Sequence, residues 1–281
     1  MSDVIRNPEP SGEALADGVF LHRIQPGGRR GPHDEVLRET PGGQGWAQYF
    51  RLGDEADDFH MTIPDIRMPA NQHWPLHWHD CWIAVIVLDG SVCIGDWWMQ
   101  PGDVLISKAG VEYGPLLNGP SGCQLFEIFA QDHLSPGGYA PEYADHPTIQ
   151  GLGLPIKPRS PLNQRNNGRQ VLPMAGVDGL IQTRLEPGGQ WNLGSADDPD
   201  RGAMRYTALA AGEARAPARY ADWHATIVIA GEIRIGDRTL PREHMLISRR
   251  NRLVDALVST SADTRLLDVA RTIRGLDPVD G

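Results

Sequence analysis

The chain has 281 residues, among them 32 glycines and 23 prolines, and a formal net charge of -10. This negative charge argues against a nucleic-acid backbone as partner. No stretch approaches the length of a membrane span, and residues 1–10 lack the apolar core of a signal peptide, so we expect no membrane partner. The three cysteines show no pairing pattern, which favours a reduced, cytoplasmic setting.

In chain order, short apolar segments alternate with turns rich in glycine and proline, a pattern typical of an all-β sandwich or barrel. Residues 1–45 are rich in glycine, proline and charge, and we interpret them as an arm that lies over the first domain. Residues 46–135 are predicted to form that domain from short strands. Residues 136–180 are interpreted as a linker and residues 181–275 as a second domain.

The most informative segment is His77-x-His79, which begins a strand predicted to end at the turn signal Asp89-Gly90. Alternate side chains of an extended strand share a face, so the two histidines are expected to point the same way. Two imidazoles on one face can each offer a neutral nitrogen to one ion. We therefore interpret the pair as part of a metal site. The alternative is a pair that lines a dry pocket.

The sequence repeats itself at an offset of 141 positions without a gap. Matching residues include Trp82 with Trp223, Gly90 with Gly231, Ile94-Gly95-Asp96 with Ile235-Gly236-Asp237, and Leu105-Ile106-Ser107 with Leu246-Ile247-Ser248. They are turn glycines, strand aliphatics and a tryptophan, which together define a β scaffold. The chain is thus predicted to contain two copies of one β domain.

The histidine pair is not part of the repeat. Ala218 and Tyr220 stand at the positions of His77 and His79, and His224 stands at the position of Ile83. If the two histidines served only the fold, the second copy should need similar residues. We therefore predict a site in the first copy, and a second copy that is structural and holds no metal.

These motifs resemble those of the cupins, and the duplicated chain resembles a bicupin. The matching positions are His77, His79 and Gly90 in the first cupin motif, and Gly95, Pro101, Gly102, Asp103 and Gly110 in the second. Two ligand positions depart from the family pattern, since Ile83 replaces a glutamate and Tyr113 replaces a histidine. The resemblance implies two double-stranded β-helix (jelly-roll) barrels in tandem, with a metal ion in the mouth of the first.

The resemblance also implies a divalent metal ion as cofactor. Fe(II) is favoured because two histidines and a carboxylate suit it, and Zn, Mn, Ni or Cu are the alternatives. With Ile83 at the usual carboxylate position, a third ligand must come from elsewhere, or water fills the coordination sphere. Tyr113 is the positional candidate and the best-placed proton donor or acceptor. Glu127, His73 and Cys81 are further candidates for ligands or pocket residues.

These candidates also have structural interpretations. Tyr113 could be a buried tyrosine with a hydrogen-bonded hydroxyl, Glu127 a strand carboxylate that faces outward, and His73 a surface histidine. The pair Trp97-Trp98 lies beside a predicted hairpin and could support a homodimer contact.

The function favoured by the resemblance is a metal-dependent enzyme that acts on a small organic molecule. The tryptophan-rich surroundings of the histidines suit an aromatic or diketone-like substrate. The expected reaction is a dioxygenation, with isomerisation or cyclisation as other types. The alternative function is a non-catalytic, small-molecule-binding bicupin whose metal site has decayed.

Overall fold

The structure is a computed structural model. It describes residues 13–24, 34–35, 46–53, 61–130, 137–152, 154–159, 173–194 and 202–279. Strands dominate these residues, so the prediction of an all-β fold is confirmed. Within the described ranges, no helix is long and apolar enough to cross a membrane.

The regular elements follow one another in this order. The strands of the N-terminal half are β1 (Glu13–Ala16), β2 (Val19–Arg23), β3 (Asp34–Glu35), β4 (Trp46–Leu52), β5 (Met61–Met68), β6 (His73–Trp74), β7 (His77–Trp78), β8 (Ile83–Ile94), β9 (Trp97–Met99), β10 (Asp103–Ser107), β11 (Leu116–Phe129) and β12 (Gly138–Tyr139). A 3-10 helix (Pro141–Tyr143) and the helix α1 (Pro147–Leu152) come next. The remaining strands are β13 (Leu180–Arg184), β14 (Gln190–Leu193), β15 (Gly202–Leu209), β16 (Ala214–Arg215), β17 (Ala218–Arg219), β18 (His224–Ala230), β19 (Glu232–Ile235), β20 (Arg238–Pro241), β21 (His244–Ser248), β22 (Leu253–Val254), β23 (Leu257–Ser259) and β24 (Thr264–Ala270), followed by a 3-10 helix (Ile273–Leu276).

The chain divides into two compact units. The first unit comprises residues 34–49 and 62–184, and the second comprises residues 1–33, 50–61 and 185–281. In the first unit, β8 pairs antiparallel with β10 on one side and β11 on the other. In the second unit, β18 pairs in the same way with β21 and β24.

The repeat seen in the sequence is also a repeat of strand register. In the first unit Glu127 on β11 lies opposite Val85 on β8. In the second unit Asp268 on β24 lies opposite Thr226 on β18, 141 positions further along the chain. The aliphatic residues and turn glycines that match in sequence thus occupy equivalent places in the two units.

The core of the first unit is formed by alternate residues of β8 and β11. Val85 and Val87 on β8 pack in one buried cluster with Leu125 and Phe129 on β11. Successive side chains of a strand point to opposite faces, so these four residues mark the inward face of each strand. Burial of each such side chain stabilises the fold by about 1.5–3 kcal/mol. This cluster forms the surroundings of the candidate site.

The long strand predicted from His77 to the turn at Gly90 differs from the observed strands. The chain bends after Trp78, so that β7 and β8 are separate strands with different partners. The strand β8 then continues through Gly90 to Ile94. Gly90 has a φ of +67°, and a Cβ there would lie 2.2 Å from the carbonyl oxygen of Gly122. A close approach between strands, rather than a hairpin turn, therefore requires this glycine.

Two segments lie in a different unit from the one that the sequence analysis gives them. In the described part of the N-terminal arm, β1 and β2 join the second unit, where β2 pairs with β21, whereas β3 pairs with β4 in the first unit. Val19 on β2 is buried in the core of the second unit, a local apolar signal that the polar composition of the whole arm hides. The second segment is β13, whose residues 181–184 the sequence analysis assigns to the second domain. It pairs along its full length with β10 of the first unit.

Candidate functional site

The backbone holds His77 between two tyrosines. Its N–H donates to the Tyr113 carbonyl at 3.2 Å, and the Tyr113 N–H donates back to the His77 carbonyl at 2.9 Å. On its other side, β7 pairs with β12, where Tyr139 lies opposite His77. The His77 ring centre is 4.7 Å from that of Tyr113 and 5.2 Å from that of Tyr139. The imidazole is therefore fixed on both sides and buried.

The Pro75 carbonyl fixes the tautomer of His77. The His77 Nδ1 lies 3.0 Å from that oxygen. A carbonyl oxygen can only accept, so Nδ1 carries the proton and donates it, and Nε2 is left with its lone pair. Burial lowers the pKa of His77 to about 4, although the Pro75 hydrogen bond acts in the opposite direction. The ring is therefore neutral at pH 7, with one nitrogen anchored and the other able to accept a hydrogen bond or bind a metal.

His79 is buried next to His77, and the two ring centres are 5.3 Å apart. With metal–nitrogen distances of about 2.0–2.1 Å, two imidazoles on one ion have ring centres about 5 Å apart. The observed spacing therefore fits a shared ion. The His79 Nε2 is hydrogen-bonded to the Tyr113 hydroxyl at 3.0 Å. An ion bound at this nitrogen would take the place of that contact.

Tyr113 is fully buried, with its hydroxyl directed at His79. Burial raises the pKa of Tyr113 well above its usual value, and the nearby Glu127, Tyr139 and Cys81 add to the effect. The hydroxyl therefore keeps its proton at neutral pH. This position agrees both with a proton-donor role and with the structural interpretation of a buried, hydrogen-bonded tyrosine.

Glu127 lies on the inward face of β11, because it shares the strand alternation of the core residues Leu125 and Phe129. Its side chain is partly buried. Burial raises the pKa of its carboxyl group to about 7. Its charge also raises the pKa values of Tyr113 and Tyr139, which places it among the site residues. This is the orientation that a ligand or a proton acceptor needs.

The other candidates divide into interior and surface residues. Ile83 and Cys81 are buried in the core cluster around Tyr113. His73 is exposed, and its Nδ1 lies 3.1 Å from the Nε2 of His146, so the structure pairs it with a different histidine. Over the described residues, no three His, Cys, Asp or Glu side chains come close enough together to hold a metal ion.

Tyr139 is a site residue that the sequence analysis missed. It lies in the segment interpreted as a linker, outside both cupin motifs. The chain returns to the site there: the Tyr139 N–H donates to the Pro155 carbonyl at 3.0 Å, and the Lys157 N–H donates to the Tyr139 carbonyl at 2.9 Å. The Lys157 ammonium group also contacts Asp80 at 2.8 Å. We find no signal in the sequence that predicts this return.

The second unit has a different polar group at the equivalent place. Asp268 occupies the position of Glu127, and both its oxygens accept hydrogen bonds from Arg215, at 2.8 and 2.9 Å. The rings of Tyr220 and His224 are stacked 3.6 Å apart, and His224 Nε2 lies 3.5 Å from Asp268. His224 thus belongs to a buried network. The chain bends between Tyr220 and His224, which brings them to the same side.

Comparisons with known proteins identify the fold. The scan against family models and the search of curated proteins both find no match. Among solved structures, a protein of Nostoc punctiforme that is provisionally described as a dioxygenase aligns with a TM-score of 0.60, at 11% identity, over 92% of this chain and 85% of that one. The nickel complex of the pirin YhhW from Escherichia coli aligns with a TM-score of 0.51, at 16% identity, over 90% and 98%.

A third solved structure gives a similar alignment. A deletion mutant of the oxalate decarboxylase OxdC of Bacillus subtilis aligns with a TM-score of 0.53, at 14% identity, over 94% of this chain and 79% of that one. All three have the cupin fold. This chain has the cupin fold as well. The resemblance seen in the motifs around His77 is thereby confirmed at the level of the fold.

Proposed function

We propose that the first unit is a metal-dependent enzyme site of a bicupin, with His77 and His79 as protein ligands of a divalent ion. The observation that carries the proposal is the anchored tautomer of His77. Its Nδ1–H donates to the Pro75 carbonyl, and burial keeps the ring neutral, so Nε2 presents a lone pair. Histidine ligands in metal sites usually have their second nitrogen anchored in this way.

The donor types present favour Fe(II), with Zn, Mn, Ni and Cu as alternatives. Two imidazoles and one carboxylate are the set that suits non-haem iron. Glu127 is a carboxylate on the inward face of β11, although it does not converge with the two histidines in this structure. When bound, the ion supplies a Lewis acid, or a redox centre if it is iron. The nickel-bound pirin and the provisionally assigned dioxygenase among the structural neighbours support a site of this kind.

The protein residues supply proton transfer and substrate orientation. Glu127, with a pKa of about 7, can accept and release a proton near neutral pH. The Tyr113 hydroxyl keeps its proton there and can donate a hydrogen bond. Tyr139 and Phe129 provide aromatic surfaces beside the histidines, at 5.2 Å from His77 and 5.1 Å from His79. We propose a small aromatic or diketone-like substrate, and a dioxygenation in preference to an isomerisation or cyclisation.

One observation favours a second candidate, a small-molecule-binding protein without a metal. The Tyr113 hydroxyl is hydrogen-bonded to the nitrogen of His79 that an ion would use, and no third ligand converges with the pair among the described residues. In this alternative the same interior accepts an uncharged organic molecule through Tyr113, Glu127 and the two histidines.

Metal content separates the two candidates. The protein would be purified without added metal and compared with a His77→Ala/His79→Ala variant by elemental analysis. His244→Ala is a matched control, because the His244 Nδ1 also donates to a proline carbonyl, that of Pro241, at 3.0 Å. We expect the double variant to hold one equivalent less of a transition metal than the wild type and the control. Equal metal in all three would favour the binding protein.

A further inference from the structure

A second pair of histidines lies at the surface of the first unit. His73 is on β6, and His146 directly precedes α1. The Nδ1 of His73 and the Nε2 of His146 are 3.1 Å apart, with ring centres at 5.2 Å. His73 is exposed and His146 is half-buried. The pair thus joins two segments that are 73 positions apart in the chain.

The distance between the two nitrogens equals that between neighbouring ligands of one metal ion. With metal–nitrogen bonds of about 2.0–2.1 Å and angles between a right angle and a tetrahedral one, adjacent nitrogens are about 2.9–3.4 Å apart. In the metal-free contact, one ring nitrogen donates its proton to the lone pair of the other. The two nitrogens thus already have the spacing of a shared site, and an ion that replaces the proton requires each ring to tilt so that its lone pair points at the ion.

One acidic residue directly precedes one member of the pair in the chain. Asp145 is exposed and directly precedes His146, with its Oδ1 accepting a hydrogen bond from Gln150 at 3.4 Å. Burial lowers the pKa values of both His73 and His146, and His146 is lowered further by His73. A neutral imidazole offers one nitrogen lone pair to an ion. The exposure of His73 leaves room for water to complete the coordination sphere.

We propose that His73 and His146 form a second metal site, which binds a borderline transition metal ion such as Ni²⁺, Cu²⁺ or Zn²⁺. Imidazole prefers these ions, whereas Ca²⁺ and Mg²⁺ prefer oxygen ligands. The bound ion clamps the segment that begins α1 to β6. That segment is continuous with Tyr139, which contacts His77, so the clamp also holds the wall of the interior site. The site does not depend on the proposed function.

The test uses the full-length His77→Ala/His79→Ala variant, so that interior binding cannot contribute. Calorimetric titration with Ni²⁺ should show one binding event. Two triple variants, made by adding either His73→Ala or His146→Ala, should each bind Ni²⁺ at least tenfold more weakly. A control triple variant with His244→Ala added should bind as the double variant does. Titration with Ca²⁺ should give no binding.

Thermal unfolding provides a second readout. In the same background, Ni²⁺ should raise the midpoint of unfolding, because it binds only the folded arrangement of the pair. The rise should disappear in the variants that also carry His73→Ala or His146→Ala, but not in the one that carries His244→Ala. The proposal is overturned if Ni²⁺ does not bind, or if binding and the thermal shift survive the loss of either His73 or His146. Neither result affects the interior site, which is absent from this background.

Discussion

At the scale of single residues, the site is defined by how each side chain is held. The Pro75 carbonyl anchors His77, and the Tyr113 hydroxyl is hydrogen-bonded to His79. The inward position on β11 gives Glu127 a raised pKa. The pKa shifts of His77, Tyr113 and Glu127 therefore leave these three groups wholly or partly neutral at pH 7. A site of this kind can receive an uncharged molecule without burying a charge, whereas an ion must recover its cost of desolvation from its ligands.

The effect of Glu127 on stability can be measured in metal-free protein. Its pKa is about 7 in the folded state, against 4.5 for an unperturbed glutamate. The folded protein therefore binds this proton more tightly, and ionisation of Glu127 destabilises the fold as the pH rises from about 4.5 to above 7. At about 1.4 kcal/mol for each pKa unit, the loss is up to about 3 kcal/mol.

Glu127→Gln keeps the shape of the side chain and removes this ionisation. Urea unfolding at pH 5 and pH 8 should show that the variant gains stability relative to the wild type at pH 8 only. An equal difference between wild type and Glu127→Gln at both pH values would mean that Glu127 is not a buried, titrating group.

At the scale of elements, the second unit lacks the histidine pair and has a buried ion pair at the position of Glu127. Asp268 on β24 accepts two hydrogen bonds from Arg215 and one from Thr226, the last at 2.7 Å. Desolvation by burial raises the pKa of Asp268, but the Arg215 charge outweighs it and keeps the pKa below its usual value. The carboxylate therefore stays ionised, and its partner is fixed on β16.

Removing one partner of this buried pair should cost much more than removing one from a surface pair. Asp268→Asn leaves the Arg215 guanidinium without its counter-charge, and we expect a loss of about 3–5 kcal/mol in the free energy of unfolding. Glu13→Gln, which breaks the exposed pair with Arg238, should cost less than about 1 kcal/mol. Equal losses, measured by chemical denaturation, would show that the network contributes no more than a surface contact.

Sequence and structure agree best where strand periodicity determines the outcome. The spacing of His77 and His79 and the repeat of 141 positions depend on alternation and turn chemistry, which are local, so they could be predicted. Tyr139 and the partner of β2 depend on contacts between distant parts of the chain. Arg215 joins Asp268 for the same reason. Such contacts leave no periodic signal in a single sequence.

At the scale of the whole molecule, buried histidines determine how stability depends on acid. Burial lowers the pKa values of His22, His77 and His224 to about 4. Their unfolded value is about 6.5, so below that pH the unfolded chain binds protons that the folded chain does not. Each histidine therefore reduces stability as the pH falls from about 6.5 to 4.

We expect the midpoint of thermal unfolding to be lower at pH 5 than at pH 7. Glu127 acts in the opposite direction over part of this window, but three histidines outweigh one carboxyl group. A His224→Asn variant should show a smaller difference between the two pH values than the wild type, because it has one fewer of these groups. A midpoint that is unchanged or higher at pH 5 would contradict the assignment of the three as buried, neutral rings.

The central claim is that His77 is a neutral imidazole, anchored at Nδ1, whose Nε2 binds a metal ion. Nitrogen-15 NMR of histidine-labelled, metal-free protein tests it most directly, with the His77→Ala variant giving the assignment. At pH 7 the account predicts the Nδ1–H tautomer for His77, and a large shift of its Nε2 resonance on addition of one equivalent of Zn²⁺ to a His73→Ala/His146→Ala background. An Nε2–H tautomer, or an Nε2 resonance that does not respond to the ion, would contradict it.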